Sequence, residues 1–316
     1  MAKTALVRRC AIILAGGDGT RLGALTDKMP GGPRPKQFCP LLGSEPLLTQ
    51  TRRRIAYLIP PRRTLVVVTQ AHESFYAPML ADVSAQSVVV QPANRGTTPA
   101  ILLALMRLRR RFHDASVALF PSDHYVSDAP AFMSHVRTAF DAVEIHSHIV
   151  VLLGAEATAA ETGYGWIEPG FRIYPSPLFR VKRFWEKPTQ QGAHILWKGG
   201  SLWNTFVLVS RVSRLLALIA AALAKLHQAF DVLKDGLDTA QEDAAIERLY
   251  ARIAASSFSD DVLSMVAGSL AVLPLRDVEW SDIGEAHRVY RVLDRAKRGL
   301  RGCKRRDNSR TGEQEI

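Results

Sequence analysis

A glycine-rich segment, residues 15–22 (AGGDGTRL), directly follows an apolar run over residues 10–15 (CAIILA). Three glycines in four positions let the backbone turn sharply, so that its N–H groups can surround an anion such as a phosphate. Arg21 adds a positive charge to the same segment. The segment is not a Walker A loop, because no Gly-Lys-Ser/Thr follows, and Gly23 comes one position late for a dinucleotide fingerprint. Taken alone, it is also compatible with a flexible turn between a strand and a helix.

Lys36 is a second candidate for binding an anion. It stands in the segment 33–38 (PRPKQF), in which two prolines stiffen the chain just before the lysine. A lysine near an anion-binding loop could neutralise the β- and γ-phosphates of a nucleotide, whereas a lone lysine in a loop is ordinarily solvated. The interpretation depends on which elements bring Lys36 and residues 15–22 together.

The elements that must position these residues are predicted by the pattern of apolar runs. Strands are predicted over residues 10–15, 64–69, 87–91, 116–120 and 149–153. Helical patterns lie between them, over about 46–58, 72–81, 98–112 and 130–146. The runs are apolar throughout, as in strands covered on both faces. They predict an α/β fold: a Rossmann-like, doubly wound, mixed but mostly parallel sheet with helices on both faces. Ligands of such sheets bind beyond the carboxyl ends of the strands, where residues 15–22 fall.

The second half of the chain is less regular. It predicts strands over 163–170, 180–188, 202–210 and 269–275, two or more helices within 211–256, and a closing helix over 284–297. From about Gly299 the sequence has no apolar period, which predicts a basic, unstructured tail over 299–316.

Composition narrows the class of protein. Apolar residues make up 47% and charged residues 22%, which is close to the globular average and argues against disorder. The three cysteines match neither a disulfide framework nor a zinc pattern, so a reducing, cytoplasmic location is expected. No apolar run reaches the roughly 18 residues that a membrane span needs.

The net charge of +11 suggests polyanionic partners, but it is unevenly distributed. Residues 288–316 hold ten lysine or arginine residues against four acidic ones. Such a tail is usually a solvated end, and less often an arm that binds nucleic acid or a membrane surface.

A series of short segments recurs in a recognisable order along the chain. They are LAGGDGTRL (14–22), PKQF (35–38), QPANRGTTPA (91–100), PSDH (121–124), TGYGWIE (162–168), FWEKP (184–188), WN (203–204) and WSDIG (280–284). Together they resemble the sugar-nucleotidyltransferase family, also called nucleoside-diphosphate-sugar pyrophosphorylases, and the PKQF form is similar to mannose-1-phosphate guanylyltransferases. The similarity extends from about residue 10 to residue 293.

The resemblance implies the GT-A-like fold of nucleotide-diphospho-sugar transferases and the reaction of GTP with mannose 1-phosphate to give GDP-mannose and pyrophosphate. The sugar phosphate would attack the α-phosphorus in line. Catalytic roles are implied for Arg21 and Lys36, which would hold the triphosphate and the leaving pyrophosphate, and for Lys187, which would neutralise the sugar phosphate.

The resemblance also implies binding residues. The nucleotide contacts are Leu14, Ala15, Gly16, Gly17, Gly19, Gln91, Arg95, Gly96 and Thr97; the sugar contacts are Gly165, Glu186 and Asn204; Asp123 and Asp282 would bind Mg²⁺ or another divalent cation. Asp282 could instead cap the closing helix.

Further expectations concern the surroundings of this site. Thr97 should cap the helix over 98–112. The tryptophans Trp166, Trp185 and Trp203 should mostly pack in the core, although one could border the sugar. Two departures from the family pattern stand out: residues 204–207 read NTFV where many guanylyltransferases have Asn-Ser-Gly-Met, and the stretch 23–34 is longer than usual. The missing glycine could reshape the sugar pocket.

We expect one catalytic domain over 1–298, with a nucleotide-binding part (10–125) and a sugar-binding part (126–298), followed by the tail 299–316. The expected partners are GTP and mannose 1-phosphate, without a membrane, and a homodimer is left open. Alternatives are a nucleotidyltransferase for another nucleotide or sugar 1-phosphate, and a non-catalytic regulatory subunit that binds nucleotide sugars. Nucleic-acid binding is a third alternative, but no recognised motif supports it.

Overall fold

The protein is described here by a computed structural model that covers residues 8–27, 32–234, 236–237 and 239–295. Its strands are β1 (Arg9–Leu14), β2 (Thr64–Thr69), β3 (Val88–Gln91), β4 (Ser116–Pro121), β5 (Tyr125–Val126), β6 (Val150–Glu156), β7 (Gly165–Ile173), β8 (Leu178–Glu186), β9 (Leu202–Arg211), β10 (Leu270–Pro274) and β11 (Trp280–Ser281). Nine of them form one sheet in the order β3-β2-β1-β4-β9-β6-β10-β8-β7.

Helices connect most of the strands. They are α1 (Gly23–Thr26), α2 (Leu47–Ile55), α3 (Glu73–Met79), α4 (Thr97–Phe112), α5 (Ala129–Ile145), α6 (Gln190–Lys198), α7 (Val212–Ala222), α8 (Ala224–Phe230), α9 (Glu242–Tyr250) and α10 (Phe258–Asp261). A further helix, α11, includes residues 286–295. No helix in the described part of the chain is both long and apolar enough to cross a membrane.

Strand directions confirm the predicted mixed, mostly parallel sheet. β3, β2, β1 and β4 run parallel, and β6 is parallel to β10. Within this sheet β9 and β8 run against the common direction, because β9 is antiparallel to β4 and β6 and β8 is antiparallel to β10 and β7.

Helices cover both faces of the sheet, as the apolar strands require. In β1, Cys10 and Ile12 are fully buried in a core that includes Leu102 of α4. The alternate residue Ile13 is fully buried in a second core that includes Phe140 of α5. Successive side chains of a strand point to opposite faces, so neither face of β1 meets solvent.

The predicted strands and helices of the first half lie within three residues of the observed ones, and so do the four later strands. The region 211–256 contains α7, α8 and α9, as the apolar pattern indicated. The closing helix begins near residue 286 rather than 284, and its predicted last residues, like the tail 299–316, lie outside the described residues.

A small second sheet was absent from the sequence-based prediction. β5 and β11 pair antiparallel, with Trp280 opposite Val126 and Ser281 opposite Tyr125. This pairing brings the segment after β11 beside the turn that follows β4. It is the reason why Asp123 and Asp282 can belong to one site.

Candidate active site

A cleft of about 440 Å³ opens at the carboxyl ends of β1, β3 and β4. This is the position expected for ligands of such a sheet, and the volume suits a small molecule. The predicted site residues that line it are Leu14, Gly16, Gly17, Gly19, Arg21, Gln91, Gly96, Thr97, Asp123, Gly165, Glu186, Lys187, Asn204 and Asp282. Three other predicted contacts, Ala15, Lys36 and Arg95, do not line the cleft.

The glycine-rich loop is held by its carbonyl groups. The Gln37 side chain donates hydrogen bonds to the carbonyls of Ala15 and Gly17, at 3.1 and 2.7 Å. Thr69 Oγ1 donates to the carbonyl between them at 2.8 Å. Within the described residues, no backbone N–H of 16–19 has a protein acceptor. These N–H groups are therefore available to an anion in the cleft.

Two glycines allow the loop to pass close to neighbouring groups. A Cβ on Gly19, whose φ is +62°, would lie 2.8 Å from the backbone nitrogen of Lys36. A Cβ on Gly16 would lie 2.7 Å from the side-chain nitrogen of Gln91. The loop thus needs glycine at position 19, where the close neighbour is backbone, whereas a Cβ at position 16 would have to displace side-chain atoms. The loop packs directly on the segment that carries Lys36.

Lys36 is only 6% exposed, and it joins the two predicted metal ligands. Its Nζ lies 3.1 Å from Oδ2 of Asp123 and donates to the backbone carbonyl of Asp282 at 2.7 Å. The ammonium group is therefore paired with protein oxygens beneath the cleft. Arg21, in contrast, is exposed at the cleft, where its charge can meet a phosphate.

Asp282 is held in place by a buried arginine that sequence analysis missed. Its Oδ1 accepts hydrogen bonds from Arg288 Nη1 at 2.8 Å and from the Gly284 N–H at 2.9 Å. Burial alone would raise the pKa of Asp282, but His124 in the protonated form that it takes in acid, together with the charges of Arg288 and Lys36, holds this pKa below its usual value. The bond to Gly284 turns the chain ahead of α11, so Asp282 does not cap that helix.

His124 is neutral and belongs to the wall of the cleft. Burial lowers its pKa to about 4, although the nearby Asp123 opposes the shift. Its Nδ1 accepts a hydrogen bond from Trp280 Nε1 at 3.3 Å, so the proton of the neutral ring lies on Nε2, 3.6 Å from Oδ1 of Asp123. The ring therefore adds no charge beside the two aspartates at neutral pH.

The opposite wall carries the predicted sugar contacts. Glu186 and Lys187 stand at the end of β8, and Lys187 Nζ lies 3.5 Å from Oε1 of Glu186. Burial raises the pKa of Glu186, and Lys187 partly opposes this shift. A Cβ on Gly165 of β7 would lie 2.8 Å from Oε2 of Glu186, so glycine at this position leaves room for that carboxylate. Asn204 is 8% exposed and its Oδ1 accepts from the backbone N–H of Phe206 at 3.0 Å.

Residues 256–261, which we call the strap, cross from α4 towards this wall. Ser256 N donates to the Arg95 carbonyl at 3.0 Å, and Thr98 N donates to the Ser256 carbonyl at 3.1 Å. Phe258 N donates to Thr97 Oγ1 at 2.8 Å. The strap is therefore hydrogen-bonded along the first turn of α4. Two of its serines, Ser257 and Ser259, line the cleft.

The strap corrects the expectation that Thr97 caps α4. The helix begins at Thr97 itself, its N-cap position is Gly96, and no side chain of the described residues caps it. Thr97 Oγ1 accepts from the strap because Gly96 places Thr97 beside it. The neighbouring Arg95 donates its Nε to the Tyr250 carbonyl at 3.0 Å, so its side chain turns away from the cleft.

The predicted tryptophans pack as expected. Trp166 is fully buried and Trp203 is 5% exposed, with their rings edge to face at 6.1 Å. Trp185 stacks with the Arg183 guanidinium. None of the three lines the cleft, whereas Trp280 does.

The residues around Asp123 and Asp282 fit a hard divalent cation. The Lys36 ammonium already lies between a carboxylate oxygen of Asp123 and the backbone carbonyl of Asp282. In the described part of the chain, Oδ1 of Asp123 and Oδ2 of Asp282 have no hydrogen bond. Such oxygens are the ligands that Mg²⁺ prefers. Within the described residues, no cluster of three or more His, Cys, Asp or Glu could hold a metal alone. Substrate phosphates and water would therefore have to complete the coordination.

A mixed, mostly parallel sheet with a cleft at its carboxyl edge, lined by a glycine-rich loop and two carboxylates, defines an α/β protein whose candidate ligand site lies at that edge. Comparison with known proteins narrows this class. The family model for nucleotidyl transferases matches residues 10–298, so the chain belongs to the nucleotidyl transferase family. The family resemblance seen in the sequence motifs is thereby confirmed.

Individual relatives carry more specific names. The chain is 33% identical over 297 residues to the xanthan biosynthesis protein XanB of Xanthomonas campestris pv. campestris, covering 91% of this chain and 60% of that protein. It is 26% identical to a mannose-1-phosphate guanylyltransferase of Escherichia coli, covering 91% and 60%. The chain thus spans about three fifths of these relatives.

A solved structure of another protein has a similar fold. It is a protein described as a mannose-1-phosphate geranyltransferase from Thermus thermophilus, with 30% identity and a TM-score of 0.79. The match covers 90% of this chain and 79% of that one.

Proposed function

We propose that this protein is a mannose-1-phosphate guanylyltransferase, which converts GTP and mannose 1-phosphate into GDP-mannose and pyrophosphate with the help of Mg²⁺. The observation that carries the proposal is the arrangement of the cleft. One wall offers the N–H groups of residues 16–19 and Arg21, and the other offers Lys187 and Glu186. The names of the relatives in Escherichia coli and Thermus thermophilus support mannose 1-phosphate as the acceptor.

Each side chain has a defined task in this proposal. The loop N–H groups and Arg21 hold the triphosphate and stabilise the negative charge that develops on the departing pyrophosphate. Lys187 neutralises and orients the sugar phosphate, while the carboxylate of Glu186 and the amide of Asn204 accept and donate hydrogen bonds to sugar hydroxyls. Lys36 keeps Asp123 and the backbone of Asp282 together. The attacking phosphate is already ionised near pH 7, so no general base is required.

A bound Mg²⁺ would supply charge neutralisation for the phosphates, and Asp123 and Asp282 would hold it. The protein contributes the site by placing both carboxylates at the edge of the sheet. Arg288 keeps Asp282 oriented through Oδ1, so that Oδ2 of that residue is left to face a cation.

The proposal is tested by measuring pyrophosphate release with each of GTP, ATP, UTP, CTP and dTTP. Each nucleotide is combined with mannose 1-phosphate, glucose 1-phosphate, N-acetylglucosamine 1-phosphate and fucose 1-phosphate. GTP with mannose 1-phosphate should give the highest kcat/KM. A tenfold better rate with UTP or dTTP would overturn the guanine assignment but keep the reaction type. No release with any pair would overturn catalysis and favour a regulatory subunit.

A further inference from the structure

Strand β9 contains an irregularity at the cleft. Its pairing with β6 shifts register opposite Leu152 to Gly154, which leaves Thr205 to Val207 out of the regular ladder. Thr205 Oγ1 donates to the Leu153 carbonyl at 2.7 Å and anchors this bulge. Bulges next to functional sites commonly redirect a side chain.

The redirected side chain is that of Phe206. Its φ is +59°, in the left-handed region that favours glycine and that a bulky residue rarely adopts. This is the position where the sequence motif has phenylalanine in place of the usual glycine. The strain persists only because the surroundings enforce it, and strained residues of this kind cluster at functional sites.

A ring from the strap holds Phe206 in place. Phe258, which is fully buried, meets Phe206 edge to face with ring centroids 6.3 Å apart. Phe258 N is in turn tied to Thr97 Oγ1. Phe206 itself is only half-buried and lines the cleft with Glu186 and Asn204. Phe206 therefore packs against the core and also forms part of the cleft wall.

We infer that Phe206 is a specificity-determining residue for the sugar 1-phosphate, an inference that rests on the proposed function. The phenyl ring occupies space that glycine would leave open, so it restricts the bulk of the acceptor at β9. The ring has no hydrogen-bond donor or acceptor, and a hydroxyl pressed against it would lose water without gaining a partner. The wall therefore selects a compact sugar 1-phosphate that presents C–H groups to it.

The test compares Phe206→Gly with the wild-type protein. For each we would measure kcat/KM with mannose 1-phosphate and with the bulkier N-acetylglucosamine 1-phosphate, KM for the nucleotide, and Tm. We expect the ratio of kcat/KM for the bulky over the compact acceptor to rise at least tenfold, with KM for the nucleotide changed less than twofold. A change of about this size is typical when a small group in a pocket is altered.

Asp277→Gly is the matched control, because Asp277 is exposed outside the cleft with a φ of +58°. It should leave the ratio unchanged. If Phe206→Gly does not fold, the same ratio of kcat/KM is measured with Phe206→Asn, since Asn tolerates the left-handed region.

An equal loss of kcat/KM for both acceptors, or a lower Tm with an unchanged ratio, would show that Phe206 only packs. Either result would overturn this inference and leave the proposed function standing. A wild-type protein that is inactive with every nucleotide and acceptor pair would overturn the proposed function, and the inference with it.

Discussion

Lys36 places one ammonium group between two segments that are far apart in the sequence. It contacts the Asp123 carboxylate and the Asp282 carbonyl, while it is almost fully buried. A buried cation is stable only when it is paired in this way. Its charge therefore contributes to the site by assembling the two aspartates, in addition to any direct effect on a phosphate.

The two aspartates should act as one unit. Asp123→Asn and Asp282→Asn are each expected to lower the rate at least about a hundredfold, the scale seen when one key electrostatic group is removed. The double variant should lose little more than either single one, because a single metal site is disrupted twice. Rates are measured against Mg²⁺ concentration, with Asp141→Asn, an exposed partner of Arg9, as the control. An Asp282→Asn protein that keeps its activity would contradict the shared site.

The contribution of Glu186 to the free energy of unfolding should be more favourable at low pH than at neutral pH. Burial raises its pKa in the folded protein, so the native state binds the proton more tightly than the unfolded state. The free energy of unfolding therefore falls as pH rises from the ordinary glutamate value, about 4.3, through the higher folded pKa. Glu186→Gln removes this destabilisation and should be the more stable protein at pH 7, with the difference vanishing below about pH 4. Urea unfolding of both proteins between about pH 4 and pH 8 measures this difference in the free energy of unfolding. A Glu186→Gln protein that is less stable than the wild type at pH 7 would contradict the prediction.

At the scale of elements, the strap and the first turn of α4 depend on one glycine. Gly96 has φ +82° and ψ −176°, a conformation that is essentially restricted to glycine. A Cβ there would lie 2.3 Å from the Ser256 carbonyl oxygen. The hydrogen bonds between the strap and α4 can form only because nothing separates the two backbones.

Gly96→Ala should therefore be much more damaging than the same change in open space. Gly200→Ala is the matched control, since Gly200 has φ +73° and nothing within 4 Å of the added Cβ. Both variants carry the cost of a positive φ, on the order of 1–3 kcal/mol. Gly96→Ala should lose about 1–3 kcal/mol more in the free energy of unfolding, the usual cost of overpacking. Equal losses in the free energy of unfolding, measured with urea, would mean that the strap moves aside to accept the added Cβ at almost no cost.

For the whole molecule, Arg288 joins the end of the described chain to the cleft. It lies on α11, and its side chain is 3% exposed. It bonds Asp282 at 2.8 Å and Glu161, in the β6–β7 connection, at 2.9 Å. Its guanidinium also stacks 4.1 Å from the ring centre of Tyr164. One side chain thus connects three parts of the fold behind the cleft.

Arg288→Met should destabilise the protein by about 3–5 kcal/mol, because two poorly exposed carboxylates lose their cation. Arg291→Met, an exposed change on the same helix, should have little effect. Urea unfolding of both variants at pH 7 makes the comparison. A loss below about 1 kcal/mol would show that the network behaves like a surface ion pair.

Removal of residues 300–316 should leave kcat and KM within about twofold of the wild type, as is normal for changes away from a site. The family match ends at residue 298, and the removed segment lies outside the described residues. The comparison is made with the full chain as control. Lost activity or solubility would assign the tail a structural role, and salt-dependent DNA binding that disappears on truncation would revive the nucleic-acid alternative.

The sequence by itself determined the sheet strands and the glycine-rich loop. β1 is apolar after Arg9 and β2 is apolar between Thr64 and Thr69, and such runs favour burial on both faces of a sheet, so their type and bounds follow from local composition. The glycines at 16, 17 and 19 determine a sharp turn locally as well. The order of these elements was enough to place the cleft at the carboxyl ends of the strands.

Only the tertiary structure decided how the walls of the cleft are assembled. β5 and β11 have two residues each, too few to show a period, and they exist because they pair with each other. The strap meets α4 through hydrogen bonds between residues more than 150 positions apart. Arg288 and Phe206 likewise depend on distant partners, and local patterns contain no information on such contacts. Spatial proximity between distant segments had to be seen in the fold.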